Sequence, residues 1–222
     1  MDEMIPTCAK CPHHWSKRLC NIEDGKSLAN CPTIHKKEVL KEAMRLYEDP
    51  ETLRFACNAS IQEAEGYETL EDGRVRPTNP RLFEVADFAK KMEYQRLGLI
   101  FCEGVYEEAR VVDKYLAGKG FDVVSIACKA GRTPKEDIGV RDDQKITPGT
   151  FESMCNPIYQ ACIVNDAEVE FNVIMGLCVG HDSLVIQHLK APVTILAAKD
   201  RVMGHNPMAA VYNLDSYCAY IK

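Results

Sequence analysis

Leu97-Gly98-Leu99-Ile100-Phe101-Cys102 is a short apolar run closed by a cysteine, and the pattern returns in Asp122-Val123-Val124-Ser125-Ile126-Ala127-Cys128 and Asn172-Val173-Ile174-Met175-Gly176-Leu177-Cys178. Runs of this length, rich in aliphatic residues and bounded by turn formers, predict buried strands. Helical spacing fills the segments between them, and that alternation is the signature of a parallel sheet built from βαβ units. Parallel strands would deliver Cys102, Cys128 and Cys178 to one sheet edge, where open α/β folds place their chemistry.

Strand one, residues 97–101, leads through Cys102-Glu103-Gly104 into a helix carrying Ala109, Val112 and Leu116 and ending at Gly118-Lys119-Gly120. Strand two, 123–127, is followed by Cys128-Lys129-Ala130-Gly131 and a polar loop to about residue 146. Thr147-Pro148 predicts a helix start, interrupted by Cys155-Asn156-Pro157 before the helix resumes over 158–165. Strand three covers 170–177 and opens into Cys178-Val179-Gly180-His181-Asp182. A helix to Lys190 then leads to strand four, 193–197, and the polar run Lys199-Asp200-Arg201-Val202-Met203-Gly204-His205-Asn206-Pro207. Neighbouring strands lie about 4.8 Å apart, so residues at their ends can share a centre.

Cys102, Cys128, Cys155 and Cys178 would then line one crevice, with His181 and His205 beside it, a setting for a second metal or iron-sulfur cluster. A single strand-end cysteine is more often packing than ligand; the case rests on three of them, each followed by a turn glycine. Lys129, Lys199 and Arg201 are candidates to offset thiolate or substrate charge. Asp182 and Asp200 are read either as orienting the histidines or as helix caps. Cys57, Cys162 and Cys218 read as packing.

Upstream, helices are expected over 36–48, 50–65 and 80–95, with a polar loop at 66–79. The first 35 residues differ in kind. They hold Cys8-x2-Cys11-x8-Cys20-x10-Cys31, with Trp15, Leu19, Ile22 and Leu28 as the sizeable apolar groups between Cys11 and Cys31. Four thiolates at such spacing can close on one ion or cluster, and the segment has too little apolar material to fold without one. Zinc and an iron-sulfur cluster both suit four thiolates, the Cys11-Pro12 and Cys31-Pro32 pairs being of a kind found in iron-sulfur proteins. The expected architecture is therefore an α/β, Rossmann-like parallel sheet of about four strands over 96–222, a helical segment over 36–95 and a four-cysteine metal module over 1–35.

Composition bounds the function. A net charge of -6 argues against an electrostatic nucleic-acid binder, and no run approaches the roughly 18 apolar residues of a membrane span. The start, Met1-Asp2-Glu3-Met4-Ile5-Pro6, lacks a basic region and a long apolar stretch, so a cytoplasmic location is expected. Eleven cysteines in a reducing compartment point to metal ligation or thiol chemistry rather than a disulfide framework. Cys102-Glu103-Gly104-Val105-Tyr106 has one glycine, which does not make a dinucleotide-binding turn.

The four N-terminal cysteines, together with Gly98 to Cys102, Cys128-Lys129, Cys155-Asn156-Pro157, Gly176 to Asp182 and Lys199 to Pro207, resemble a family of prokaryotic proteins, many from anaerobes, catalogued as uncharacterised and metal-binding. The resemblance covers nearly the whole chain. It implies metal binding and no particular reaction. The leading expectation is thus a metal-binding protein with redox or small-molecule chemistry at the crevice, in contact with an unidentified small molecule or redox partner. Two alternatives stand beside it: a zinc-binding sensor or interaction protein without turnover, and a thiol-dependent transferase or hydrolase using Cys178 with His181 as nucleophile and base; whatever the reaction, Cys178, His181, Lys199, Asp200 and His205 are the catalytic candidates.

Overall fold

The fold is described from a computed structural model covering residues 4–220. The three residues at the start, part of the segment read above as unlike a signal peptide, lie outside it, as do the last two. Two compact units divide the chain, 1–60 and 61–222. The division falls inside a helix.

In the first unit, single turns at Cys8–Lys10 and Trp15–Lys17 precede α1 (Pro32–His35), α2 (Lys37–Leu46) and the start of α3 (Pro50–Glu65). Proline at the first position of α1 and α3 fits the missing donor there. The Asp49 carboxylate accepts from the Thr52 backbone N–H and hydroxyl, both at 2.8 Å, which caps α3 and holds the Asp49 carboxyl below its usual range. The apolar stripe of α2 is not core: Val39, Leu40, Met44 and Leu46 are all exposed. Cys57, expected to pack, is exposed on α3.

The second unit opens with a hairpin that corrects the expected loop at 66–79. Strands β1 (Tyr67–Thr69) and β2 (Val75–Pro77) pair antiparallel around an Asp72-Gly73 turn, with the Asp72 carboxylate accepting from Arg74 N–H at 3.1 Å. Their side chains are solvated, Tyr67 and Val75 included, so no alternation with a buried face marked them. Helix α4 (Arg81–Lys91) follows.

Four parallel strands form the main sheet: β3 (Arg96–Phe101), β4 (Asp122–Ala127), β5 (Phe171–Met175) and β6 (Val193–Ala197), in the order β4-β3-β5-β6. Helices α5 (Tyr106–Gly118), α6 (Pro157–Asp166) and α7 (His181–His188) make the crossovers, and α8 (Pro207–Tyr212) follows β6. The chain steps from β3 to β4 on one side, then returns across β3 to build β5 and β6 on the other. Right-handed crossovers in opposite directions put helices on opposite faces. Accordingly, a Cβ on Gly98 would meet Val164 of α6 at 3.3 Å, whereas Leu99 and Phe101 share a cavity wall with Tyr106 and Ala109 of α5. Phe88 of α4 packs on Phe171 with ring centroids 5.6 Å apart, and Phe83 stacks on Tyr115 of α5 at 5.2 Å. Leu97, Leu99, Ile100, Val173 and Ile174 are fully buried between these layers. The expected helix start at Thr147-Pro148 is absent: the helix begins at Pro157, where Asn156 supplies the N-cap by accepting from Tyr159 N–H at 3.0 Å. No helix of the described residues is long and apolar enough to cross a membrane.

Candidate functional site: thiols at the strand-order reversal

The reversal of strand order lies between β3 and β5, the place where open α/β sheets set their ligand crevice. Cys102 directly follows β3, Cys128 directly follows β4, and Gly176-Leu177-Cys178 follows β5. One glycine holds this junction. Gly176 has φ +64°, and a Cβ there would stand 2.8 Å from Cγ2 of Val105, which begins the turn into α5.

Cys155 joins the rim through its neighbour. The backbone N–H of Asn156 donates to the carbonyl of Cys128 at 2.8 Å, Met154 N–H donates to Thr133 at 2.8 Å and Lys135 N–H to Glu152 at 3.1 Å. Residues 128–135 and 152–156 therefore run as a ladder. Lys129 adds its ammonium to the Ser153 carbonyl. The result sets the sulfurs of Cys128 and Cys155 3.6 Å apart. Beyond the ladder, buried Lys145 ties the loop tip by pairing with Glu136 and Asp142 and donating to the Thr150 carbonyl at 2.9 Å.

Cys102, Cys128 and Cys155 form one hydrogen-bonded set. Cys128 is 1% exposed and Cys102 9% exposed, while Cys155 is half-buried. The Cys128 hydrogen bond, the Gly104 N–H and the Lys199 charge hold the Cys102 thiol down at about 5 against burial. Contact with Cys128 and the charges of Lys129 and His181 hold Cys155 at about 6. Cys128 goes the other way: two neighbouring sulfurs and burial push its thiol well up, although Glu103 N–H donates to its sulfur at 3.3 Å. Cys128 therefore holds its proton, while Cys102 and Cys155 ionise more readily than free thiols. The Lys199 ammonium lies where a Cβ on Gly104 would be 3.3 Å away, beside Cys102.

Cys178 stands differently. Its sulfur receives Arg201 Nη2 at 2.9 Å, and its carbonyl accepts the His181 and Asp182 amides that start α7. The charge of His181 acts on Cys155. Asp182 accepts from Gly180 N–H at 3.0 Å and Ser183 N–H at 2.7 Å, a capping role. Asp200 likewise accepts from Val202 and Met203 amides, and its own N–H donates to His205 Nδ1 at 3.2 Å. His205 thereby closes a turn. Cys162, expected to pack, is exposed, and Cys218 is intermediate.

Sequence reasoning missed Gln160. Its side chain is wholly buried in α6 and donates Nε2–H to the carbonyls of Phe101 at 3.1 Å and Ile126 at 2.9 Å, tying the ends of β3 and β4 just before Cys102 and Cys128. Its Oε1 has no partner among the described residues. The available signal was one amide in the otherwise apolar stripe Pro157, Gln160, Ala161, Val164.

In the first unit, Cys8, Cys11, Cys20 and Cys31 line one cavity of about 80 Å³, alongside Arg18 and Lys26. Among the described residues, no three Cys, His, Asp or Glu side chains are drawn together as a ligand set, in this unit or at the rim. His13 Nε2 lies 3.4 Å from the Ser27 carbonyl, and His14 and His35 are exposed.

Residues 31–196 match a family model described as protein of unknown function (DUF1847), a span that holds all four rim cysteines and Cys31. An uncharacterised protein of Methanocaldococcus jannaschii is 37% identical over 205 residues, covering 92% of this chain and 93% of its own length.

Proposed function

The chain belongs to the DUF1847 family of proteins of unknown function, and from that premise we propose a metal-binding thiol protein with two separate centres. Cys8, Cys11, Cys20 and Cys31 hold zinc or an iron-sulfur cluster, and the strand-end rim is a reaction site for redox or small-molecule chemistry. The observation that carries the metal reading is the shared cavity: four thiols separated in sequence line one space of about 80 Å³ in a unit with scarcely any core. The donor chemistry fits, since soft thiolates suit zinc and iron-sulfur clusters alike. A bound ion or cluster would cross-link the segment, and a cluster would also carry single electrons. Arg18 and Lys26 offset the thiolate charge at its edge. A cytoplasmic location accords with eleven cysteines that are all unpaired.

The test is analysis of zinc, iron and acid-labile sulfide in anaerobically prepared protein, wild type against Cys8→Ser/Cys11→Ser. One metal centre per chain that is lost in the variant supports the reading; brown colour with sulfide identifies a cluster and colourless protein with zinc the ion. Wild type that stays empty after reconstitution, or a variant that keeps its metal, refutes the module.

A further inference from the structure

We propose that Cys155 and Cys128 form a dithiol–disulfide couple that reduces small-molecule disulfides, Cys155 attacking and Cys128 resolving. The inference rests on reading the rim as a reaction site and is independent of the metal at Cys8, Cys11, Cys20 and Cys31. Three observations carry it.

The first is distance. Sulfurs 3.6 Å apart need only side-chain movement to reach the roughly 2.05 Å of a disulfide bond. The backbone beneath them is already fixed, because Asn156 N–H is bonded to the Cys128 carbonyl at 2.8 Å. The second is asymmetry of access. Cys155 is partly open to solvent, whereas Cys128 is 1% exposed and can be reached from Cys155 but scarcely by an outside molecule. A substrate thus meets the attacking sulfur first, and the resolving sulfur waits behind it. The third is the company. Cys102 is a second hydrogen-bond partner of Cys128, and Lys129 places positive charge beside Cys155.

The chemistry balances within the set. The Cys155 thiolate attacks one sulfur of a disulfide RSSR, forming the mixed disulfide and releasing RS⁻, which the Lys129 charge stabilises. Cys128 passes its proton to the Cys102 sulfur and attacks Cys155 Sγ; the Cys128–Cys155 bond forms, and the second RS⁻ leaves. The proton taken by Cys102 and one from solvent convert the two leaving groups to RSH. Two electrons pass from the cysteine pair to the substrate.

Glutathione disulfide is the probe, with the full-length protein quenched by acid and alkylation and mapped by peptide mass spectrometry. The expected product is a Cys128–Cys155 bridge with two glutathiones released, while exposed Cys57 and Cys162 stop at mixed disulfides. In Cys128→Ser, glutathione should remain on Cys155; in Cys155→Ser, modification of Cys128 should slow at least tenfold. The wild-type map alone decides if either variant fails to fold. A bridge to Cys102 or Cys178, glutathione appearing first on Cys128, or a rim that stays unmodified while Cys57 and Cys162 react would each overturn the assignment. Loss of metal at the N-terminal module would leave these outcomes unchanged, so the two readings fail separately.

Discussion

Replacing Gly176 with alanine should destabilise the α/β unit by about 2–5 kcal/mol, and the sum can be divided. The backbone there has φ +64°, where an L-residue costs roughly 1–2 kcal/mol relative to glycine. The new methyl would then stand 2.8 Å from Val105 Cγ2 and 3.1 Å from Cγ1. Val105 is 3% exposed and β-branched, so it cannot swing aside, and overpacking of this kind costs about 1–3 kcal/mol. Val105→Ala removes only the second contribution. In a double-mutant cycle the pair should show a coupling energy of about 1–3 kcal/mol, with the backbone strain persisting in the double variant. Urea unfolding followed by far-UV circular dichroism is the assay, because the sole tryptophan, Trp15, belongs to the other unit and its fluorescence would report the wrong transition. A Gly176→Ala protein within 0.5 kcal/mol of wild type, or a coupling energy near zero, would refute the close approach between these segments.

Three further expectations follow from the rim and its loop. Lys199→Met should raise the Cys102 thiol toward its ordinary value and slow its alkylation below neutral pH; an unchanged pH profile of alkylation would remove Lys199 from that role. Stability should depend on pH through the outer thiols: folded values of about 5 for Cys102 and about 6 for Cys155 lie below the ordinary 9.0, so the unfolded chain binds more protons in that window. Their contribution is complete above about pH 9 and lost as pH falls through the folded values, while Cys128, shifted upward, withdraws stability above about pH 9. Denaturant midpoints across that range should rise with pH in wild type and flatten in Cys102→Ser/Cys155→Ser; a wild-type slope unaltered by the substitutions would contradict the assignment. Lys145→Met should open the loop tip to limited proteolysis between 136 and 150 without moving the Cys128–Asn156 hydrogen bond, and equal protease resistance would show that the tip is held by other contacts.

The sequence made the parallel strands legible because burial of the central pair, β3 and β5, demands continuous apolar runs and the edge strands are aliphatic as well, whereas Asn156-Pro157, read as a break within a helix begun at Thr147, is in fact the start of α6. What it concealed depends on partners far away in the chain. The ladder between 128–135 and 152–156 is made of main-chain bonds, which any side chains would permit, so the nearness of Cys155 could be suspected only from the break before Pro157. Cys162 was misjudged by one step of a helix: the buried positions of α6 are Pro157, Gln160, Ala161 and Val164, and Cys162 falls off that stripe. The roles of Asp182 and Asp200 stayed open, since a carboxylate that caps a turn and one that orients a histidine look alike in sequence.

Strand order also governs how the molecule is assembled. β3 and β4 are separated by one helix and can pair early, but β5 must return from beyond the long loop to occupy the other edge of β3, and contacts so distant in sequence form slowly. Until it does, an unpaired strand edge and three unshielded thiols coexist in a half-built sheet. A chain refolded in air would therefore commit its cysteines before geometry has chosen among them. Strong reductant during folding, withdrawn only once the sheet is closed, is the handling that the topology demands.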